Sequence, residues 1–399
     1  MRAGPILAVG ATVITMVSLA ACSDSKDDSK DSSSSATKTV KVEMTNDGCK
    51  ATPDKVDAGP ITFSITNTNA AAVSEVELIK DNRILAEREN IAPGMAAVSF
   101  SHKLDGGSYE LYCPGASTEK TAFTVTGKAA AATGTVADQL KQATVDYKQY
   151  VVTQVNSLVD YTGQLTAAVD SGNLASAQDL YPKTRPYYER IEPVAGAFCT
   201  NGATDCSDNA SVSLDFAIDA RPAAVGPTDK WTGFHVLEKG LFEEKSLTGM
   251  KPVADELLTN VKLLQTVVNK PTFGFSPADI VNGAGDLLDE VSTTKLTGEE
   301  EFYSHIDVLD MQANIEGSEQ AFAMVKPALS EIDSQLSDTI TKAFANVDNY
   351  VDSLRDPNQP GGFKLYTELT AEEKRQLASA VIAVKDPLAE AGGKVAAAS

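Results

Sequence analysis

Near residue 130 the spacing of apolar residues in this chain changes from about two to about 3.6, the strand and helix periods. Before the change, VKVEM, VSEVELIK and MAAVSFSHKL alternate apolar with polar residues. ITFSITNTN, GSYELYC and TAFTVTG are rich in β-branched and aromatic residues, and Gly, Pro, Asn and Asp punctuate the series. Short alternating runs at such intervals predict a small β-sandwich over residues 39–127. KAAAATG, residues 128–134, carries neither period and reads as a linker.

Residues 135–399 read as helical. Leu140, Tyr147, Val151, Val155, Leu158 and Leu165 recur on one face of a predicted helix over 136–169. Further helices are expected over 174–198, interrupted at Pro182 and Pro186, and over 209–220, 229–244, 253–268, 277–291, 298–324, 329–353 and 371–391, with Ser276 and Thr370 as N-caps. Long helices on short connections imply a bundle. The expected fold class is therefore multidomain, an all-β sandwich followed by an all-α bundle.

The N-terminus reads as an export signal over residues 1–21: Arg2, then a mostly apolar run from Ile6 to Leu19, too short for a comfortable membrane span. It ends in Leu19-Ala20-Ala21-Cys22, similar to the lipobox of bacterial lipoproteins, which implies lipidation of Cys22 and a protein held at the outer face of the cell membrane. Residues 22–38, nearly all Ser, Asp and Lys, are expected to form a flexible tether. Net charge is −21, with 55 acidic against 34 basic residues. That balance disfavours nucleic acid as a partner and gathers cations.

Four cysteines remain in the exported chain, and an oxidising compartment favours disulfides. Cys199 and Cys206 flank a short polar loop and suit a local bridge. Cys49 and Cys113 have two readings. They form a disulfide, or they join Glu75 and Glu77, which share one face of a strand, in a second metal site for copper or iron. A blue-copper centre needs two His and a Cys. The only His in the first domain is His102, so that chemistry is not expected.

The chain has only three His. His235 and Glu238 lie three apart in WTGFHVLEKGLF, residues 231–242, one turn apart on a helix, where an imidazole and a carboxylate can close on one cation. The alternative is a surface His beside a solvated Glu. Glu189 and Glu192 are also three apart, and either face a cation or pair with Arg185 and Arg190. Glu290, His305, Asp307 and Asp310 are further candidates, more suited to supporting ligands than to binding.

ERENIAPG (residues 87–94), the NDGC entry and the YELYC exit resemble the cupredoxin-like domain of EfeO proteins. GFHVLEKGLF (233–242), SHIDVLDMQANIEGS (304–318), YERIEPVA (188–195) and IDAR (218–221) resemble the imelysin domain that follows it in that family. The resemblance implies an extracytoplasmic component of a ferrous-iron uptake system, working with an iron permease and a haem peroxidase. It places the family's HxxE motif on His235 and Glu238 and its further metal ligands on Glu189 and Asp219. The Cys199–Cys206 segment is an insertion just before IDAR, and makes the placement of Asp219 less firm than that of Glu189. One imidazole with carboxylates suits iron, and also manganese or zinc. The enzyme alternative, a metallopeptidase, requires HExxH, whereas Val236 and Lys239 stand at the required Glu and His. An adhesion protein would use exposed aromatic platforms, and aromatic residues are only 6% of the chain, mostly at helix-core spacing.

Overall fold

The structure, a computed structural model, describes residues 38–80, 83–88, 91–129, 133–207 and 209–399. The expected export signal, the lipid-bearing Cys22 and all of the expected tether except Lys38 lie outside the described residues. Lys38 itself opens the first strand. Among the described residues no helix is long and apolar enough to cross a membrane.

Among the described residues the alternating half forms nine strands: β1 (Lys38–Thr45), β2 (Gly48–Thr52), β3 (Lys55–Asp57), β4 (Gly59–Asn67), β5 (Val76–Lys80), β6 (Arg83–Arg88), β7 (Val98–Leu104), β8 (Gly107–Tyr112) and β9 (Lys120–Thr126). They make two sheets, β2-β1-β4-β7 and β3-β9-β8-β5-β6. β1 runs parallel to β4, and β3 to β9; the other pairs are antiparallel. Because strand side chains alternate, Val40, Val42 and Met44 of β1 and Ile61, Phe63 and Ile65 of β4 all point inward and are fully buried. Phe63 spans the two sheets, its ring 5.1 Å from Phe100 and 5.2 Å from Phe123. Each such side chain contributes about 1.5–3 kcal/mol by leaving water. Cys49 of β2 is disulfide-bonded to Cys113, just past β8, so the bond clips one sheet to the other.

The helical half contains α1 (Thr135–Asp170), α2 (Leu174–Glu189), α3 (Leu214–Asp219), α4 (Phe234–Glu238), α5 (Met250–Val268), α6 (Pro277–Thr293), α7 (Asp307–Ile332), α8 (Ser334–Asp352) and α9 (Ala371–Ala398). The expected stripe on α1 is buried from Leu140 to Leu165. Ser276 and Thr370 form capping boxes with Asp279 and Glu373, satisfying the first amides of α6 and α9. Helix α2 continues through Pro182 and Pro186, where interruptions were expected. Its face Tyr181, Arg185, Tyr188 and Glu189 is fully buried, and that packing outweighs the missing amide donors.

Two predicted helices are much shorter than expected. Only Leu214–Asp219 of 209–220 and Phe234–Glu238 of 229–244 are α-helical, the latter running into a π-turn over Lys239–Glu243. Gly233 explains the late start of α4. Its φ is 91°, and a Cβ there would stand 2.1 Å from the Ile218 carbonyl oxygen. The helix expected from 298 begins at Asp307. Residues 298–306 form a loop instead, entered through Gly298 at φ 82° and left through His305 at φ 61°.

The sandwich packs on α6 and α9 through β7. Asn282 of α6 donates to the Ser101 carbonyl at 2.8 Å, and Arg88 of β6 pairs with Asp286 of α6.

Candidate metal centre

Five stretches bring charge into the middle of the helical domain. Helix α2 supplies Arg185 and Glu189, one turn apart. Asp219 ends α3, and α4 carries His235 and Glu238. The 298–306 loop supplies Glu300 and Glu301, and α7 adds Asp307, Asp310 and Asn314. Every one of these side chains is buried. Charged groups are almost never buried without partners, so their pairing decides what the site can do.

Arg185 is the principal internal cation. Its guanidinium meets Glu189 Oε1 at 2.5 Å, Glu301 Oε1 at 3.0 Å and Asp310 Oδ2 at 3.1 Å, and also bonds Asp219. It stacks over the Phe234 ring, 5.1 Å from the centroid. Lys295, fully buried, meets Glu192 at 2.9 Å, Glu300 at 3.0 Å and Glu189 at 3.4 Å. Arg221 adds pairs to Glu290 at 2.6 Å and Glu300 at 3.1 Å. Carboxylates outnumber these cations. Glu189, Glu192, Asp219, Glu238, Glu300, Glu301, Asp307 and Asp310 face three basic side chains and one imidazole.

His235 sits where the imbalance is sharpest. Its Nδ1 lies 3.0 Å from Glu238 Oε2. The other oxygen of Glu238 accepts from the Tyr303 and Ser304 amides at 2.7 and 2.8 Å, which ties the loop to α4. The far nitrogen, Nε2, is buried and has no hydrogen-bond partner among the described residues. It faces Asp219 Oδ1 at 3.5 Å and Glu300 Oε1 at 3.9 Å. Buried polar atoms nearly always have partners, so an orphaned imidazole nitrogen beside two carboxylates fits a position built for a cation. Asp219, His235 and Glu300 each place one donor atom within 4.8 Å of the others, and so do His235, Glu238 and Glu301.

The cluster divides the carboxylates into two kinds. Burial opposes ionisation of Glu300, but Lys295, Arg221, His235 and Arg185 outweigh it and hold this group below the usual carboxylate range. Glu189 is held low in the same way, with Arg185 and Lys295 overcoming burial. Burial wins at Glu301, Asp310 and Glu192, which are raised well above their ordinary values. It lifts Asp219 and Asp307 to about 6. A cation entering the centre would lower all of these and take up the excess negative charge.

The structure thus brings His235, Glu238, Glu189 and Asp219 into one cluster. Glu189 touches Arg185 and Lys295 and lies away from the His235 nitrogen. The alternative pairing of Glu189 with Arg185 holds, while Arg190 pairs instead with Glu316 at 2.8 Å. Glu192 and Glu290 are held by Lys295 and Arg221 at the edge. His305 contributes through its backbone: its amide donates to the Glu301 carbonyl, and its own carbonyl accepts from Tyr366. Sequence reasoning missed Glu300, Glu301 and Lys295. The run Glu299-Glu300-Glu301 was the available signal, but three adjacent acids ordinarily mark a solvated surface.

In the sandwich, the Cys49–Cys113 disulfide removes both thiolates from the mixed site considered with Glu75 and Glu77. Those two Glu instead lie with Glu87, one oxygen of each within 4.8 Å. Cys199 and Cys206 are also bonded to each other. His102 faces Asp279 of α6 at 3.6 Å.

Fold and site together define a class in which a cupredoxin-like sandwich precedes a helical domain with an acidic, histidine-bearing interior. An imelysin family model matches residues 143–391, and a cupredoxin-like domain model matches residues 11–125. The iron uptake system component EfeO of Escherichia coli O157:H7 is 35% identical over 361 residues, covering 89% of this chain and 90% of that protein. The proteins of the same name from Escherichia coli K12 and Shigella flexneri are similar to the same extent. The chain belongs to the imelysin family, in its EfeO-type, two-domain form.

Proposed function

We propose that this chain is the iron-binding component of a bacterial ferrous-iron uptake system, anchored through Cys22 at the outer face of the cell membrane, and that it passes iron to a permease. The observation that carries this reading is the buried, unpartnered His235 Nε2 facing Asp219 and Glu300 inside a surplus of carboxylates. One imidazole nitrogen with carboxylate oxygens is a borderline-to-hard donor set, suited to iron and less selective against manganese and zinc. The naming of the EfeO relatives for iron uptake supports iron among these. A haem peroxidase of the same system is the further partner that the family resemblance suggests.

His235, Asp219 and Glu300 are the proposed binding groups, with Glu301 beside them and Glu238 orienting the imidazole through Nδ1. Glu189, Glu192, Arg185 and Lys295 hold them in place. The Glu75–Glu77–Glu87 triad offers a second, all-oxygen site in the sandwich. With the cysteines bonded to each other it lacks soft donors, which favours iron over copper there.

Isothermal titration with Fe2+ under argon and with Fe3+ as a soluble chelate, comparing wild type with His235→Ala, tests the reading. Binding in wild type that is lost in the variant is expected. Equal affinity in both removes the site assignment, and no binding of iron by either removes the function. The peptidase alternative finds no support in the site, because Val236 and Lys239 occupy the positions where HExxH needs its base and second ligand.

A further inference from the structure

His235 is fully buried, so an ion must be led to it. A cleft of about 540 Å³ lies between the sandwich and the helical domain. Glu87 faces it from β6, and Asp215, Asp279, Asp289 and Glu290 face it from the helical side. Its basic groups are already engaged: Arg88 with Asp286, and Arg221 with Glu290. An acidic cleft with low-dielectric walls concentrates cations.

The inner end of the cleft is made by Glu192, Arg221 and Glu290, which sit at the edge of the buried cluster. From there the contacts are continuous. Arg221 Nη1 lies 3.1 Å from Glu300 Oε2, and the other oxygen of Glu300 is 3.9 Å from the unpartnered His235 Nε2. Of the three cations touching Glu300, Arg185 and Lys295 are fully buried, while the Arg221 side chain is 26% exposed. Arg221 alone of these can swing toward water without crossing the core. A larger cavity of about 690 Å³, beside Pro182 and Phe242, is lined by none of the cluster's residues.

We propose that the cleft between the two domains is the passage by which a divalent cation reaches and leaves the His235 centre, and that Arg221 is the gate at its inner end. This rests on the binding reading above. The sandwich then has a role beyond its own acidic triad, because it forms one wall of the route. The loop closed by the Cys199–Cys206 bond forms part of the rim through Thr204 and Asp205.

The chain has a single tryptophan, and the Trp231 indole donates to the Ala220 carbonyl at 2.8 Å, next to Asp219. Its quenching by Fe2+ under argon in stopped flow reports arrival at the centre. Thr204 is exposed, so Thr204→Arg adds bulk and positive charge at the rim without disturbing the core. Association and dissociation are expected to slow together by about tenfold in this variant, leaving Kd unchanged. Arg221→Gln is expected to speed association by about threefold. Thr204→Arg loading at the wild-type rate overturns the passage, and Arg221→Gln loading no faster than wild type overturns the gate. Quenching that survives in His235→Ala sinks the binding site itself and is read from amplitudes, independently of these rates.

Discussion

His235 and Glu238 meet at 3.0 Å through Nδ1 and Oε2, which aligns the imidazole and turns its Nε2 toward Asp219 and Glu300. A carboxylate that orients an imidazole in this way typically changes metal affinity about 10–100-fold when removed. Glu238→Gln should therefore weaken iron binding in titration by roughly that factor. Because Glu238 also holds the Tyr303 and Ser304 amides, the variant should show faster amide exchange in the 298–306 loop. Wild-type affinity with a loosened loop would reduce Glu238 to a structural role.

Glu300 and Glu301 are neighbours with opposite electrostatic settings. Glu300 is held ionised, and Glu301 is pushed toward its neutral form. At neutral pH, Glu300→Gln should cost more iron affinity than Glu301→Gln, by about tenfold. Titration calorimetry on the two single variants measures the ratio, and equal losses would contradict the assignment.

Asp219 and Asp307, both lifted to about 6 chiefly by burial, give the centre a pH dependence. Iron binding should weaken as pH falls through 6, with protons released on binding, measurable in buffers of different ionisation enthalpy. In the metal-free protein the sign is opposite. A carboxyl whose folded pKa is raised contributes stability below about 4 that is lost as pH rises through about 6. Asp307→Asn does not titrate, so its Tm relative to wild type should climb between pH 5 and pH 7, by about 2 °C. A flat difference would remove the burial effect at this residue.

Arg185 is enclosed by Glu189, Asp219, Glu300, Glu301 and Asp310. Arg185→Met leaves that negative charge uncompensated and should cost about 3–5 kcal/mol in chemical unfolding. A saturating divalent ion should return part of the loss, and the recovery should be larger than in wild type. A variant as stable as wild type without metal would show that the carboxylates had simply taken up protons.

The Cys49–Cys113 bond joins residues 64 apart in the sequence. Replacing both with Ser should destabilise the sandwich by about 2–5 kcal/mol. Iron affinity at His235 should be unchanged, since neither cysteine touches that cluster. A parallel loss of affinity would mean that the two halves are energetically coupled.

Much of the fold was legible because its signals are local. The change in apolar period separates β1–β9 from α1–α9, and the Ser276 and Thr370 caps start α6 and α9 as expected. The exceptions have non-local causes. Helix α2 passes Pro182 and Pro186 because its buried face is packed, and α4 starts late because Gly233 abuts Ile218. In the site, His235 with Glu238 and Glu189 with Glu192 were readable from their spacing, while Asp219 was reached through the family resemblance alone. Glu300 and Glu301 were not legible, since a run of acids looks the same whether water or Arg185 and Lys295 surround it. Only the path of the 298–306 loop turns that run inward.

The contact at Gly233 limits how this centre can be altered. A side chain there would strike the Ile218 carbonyl, so α3 and α4 touch through bare main chain, and Asp219 and His235 are carried on either side of that contact. The separation between their backbones is thus fixed by atoms that every amino acid shares. A relative that favours a larger or smaller ion is more easily made by exchanging Asp for Glu at the tips than by shifting either helix.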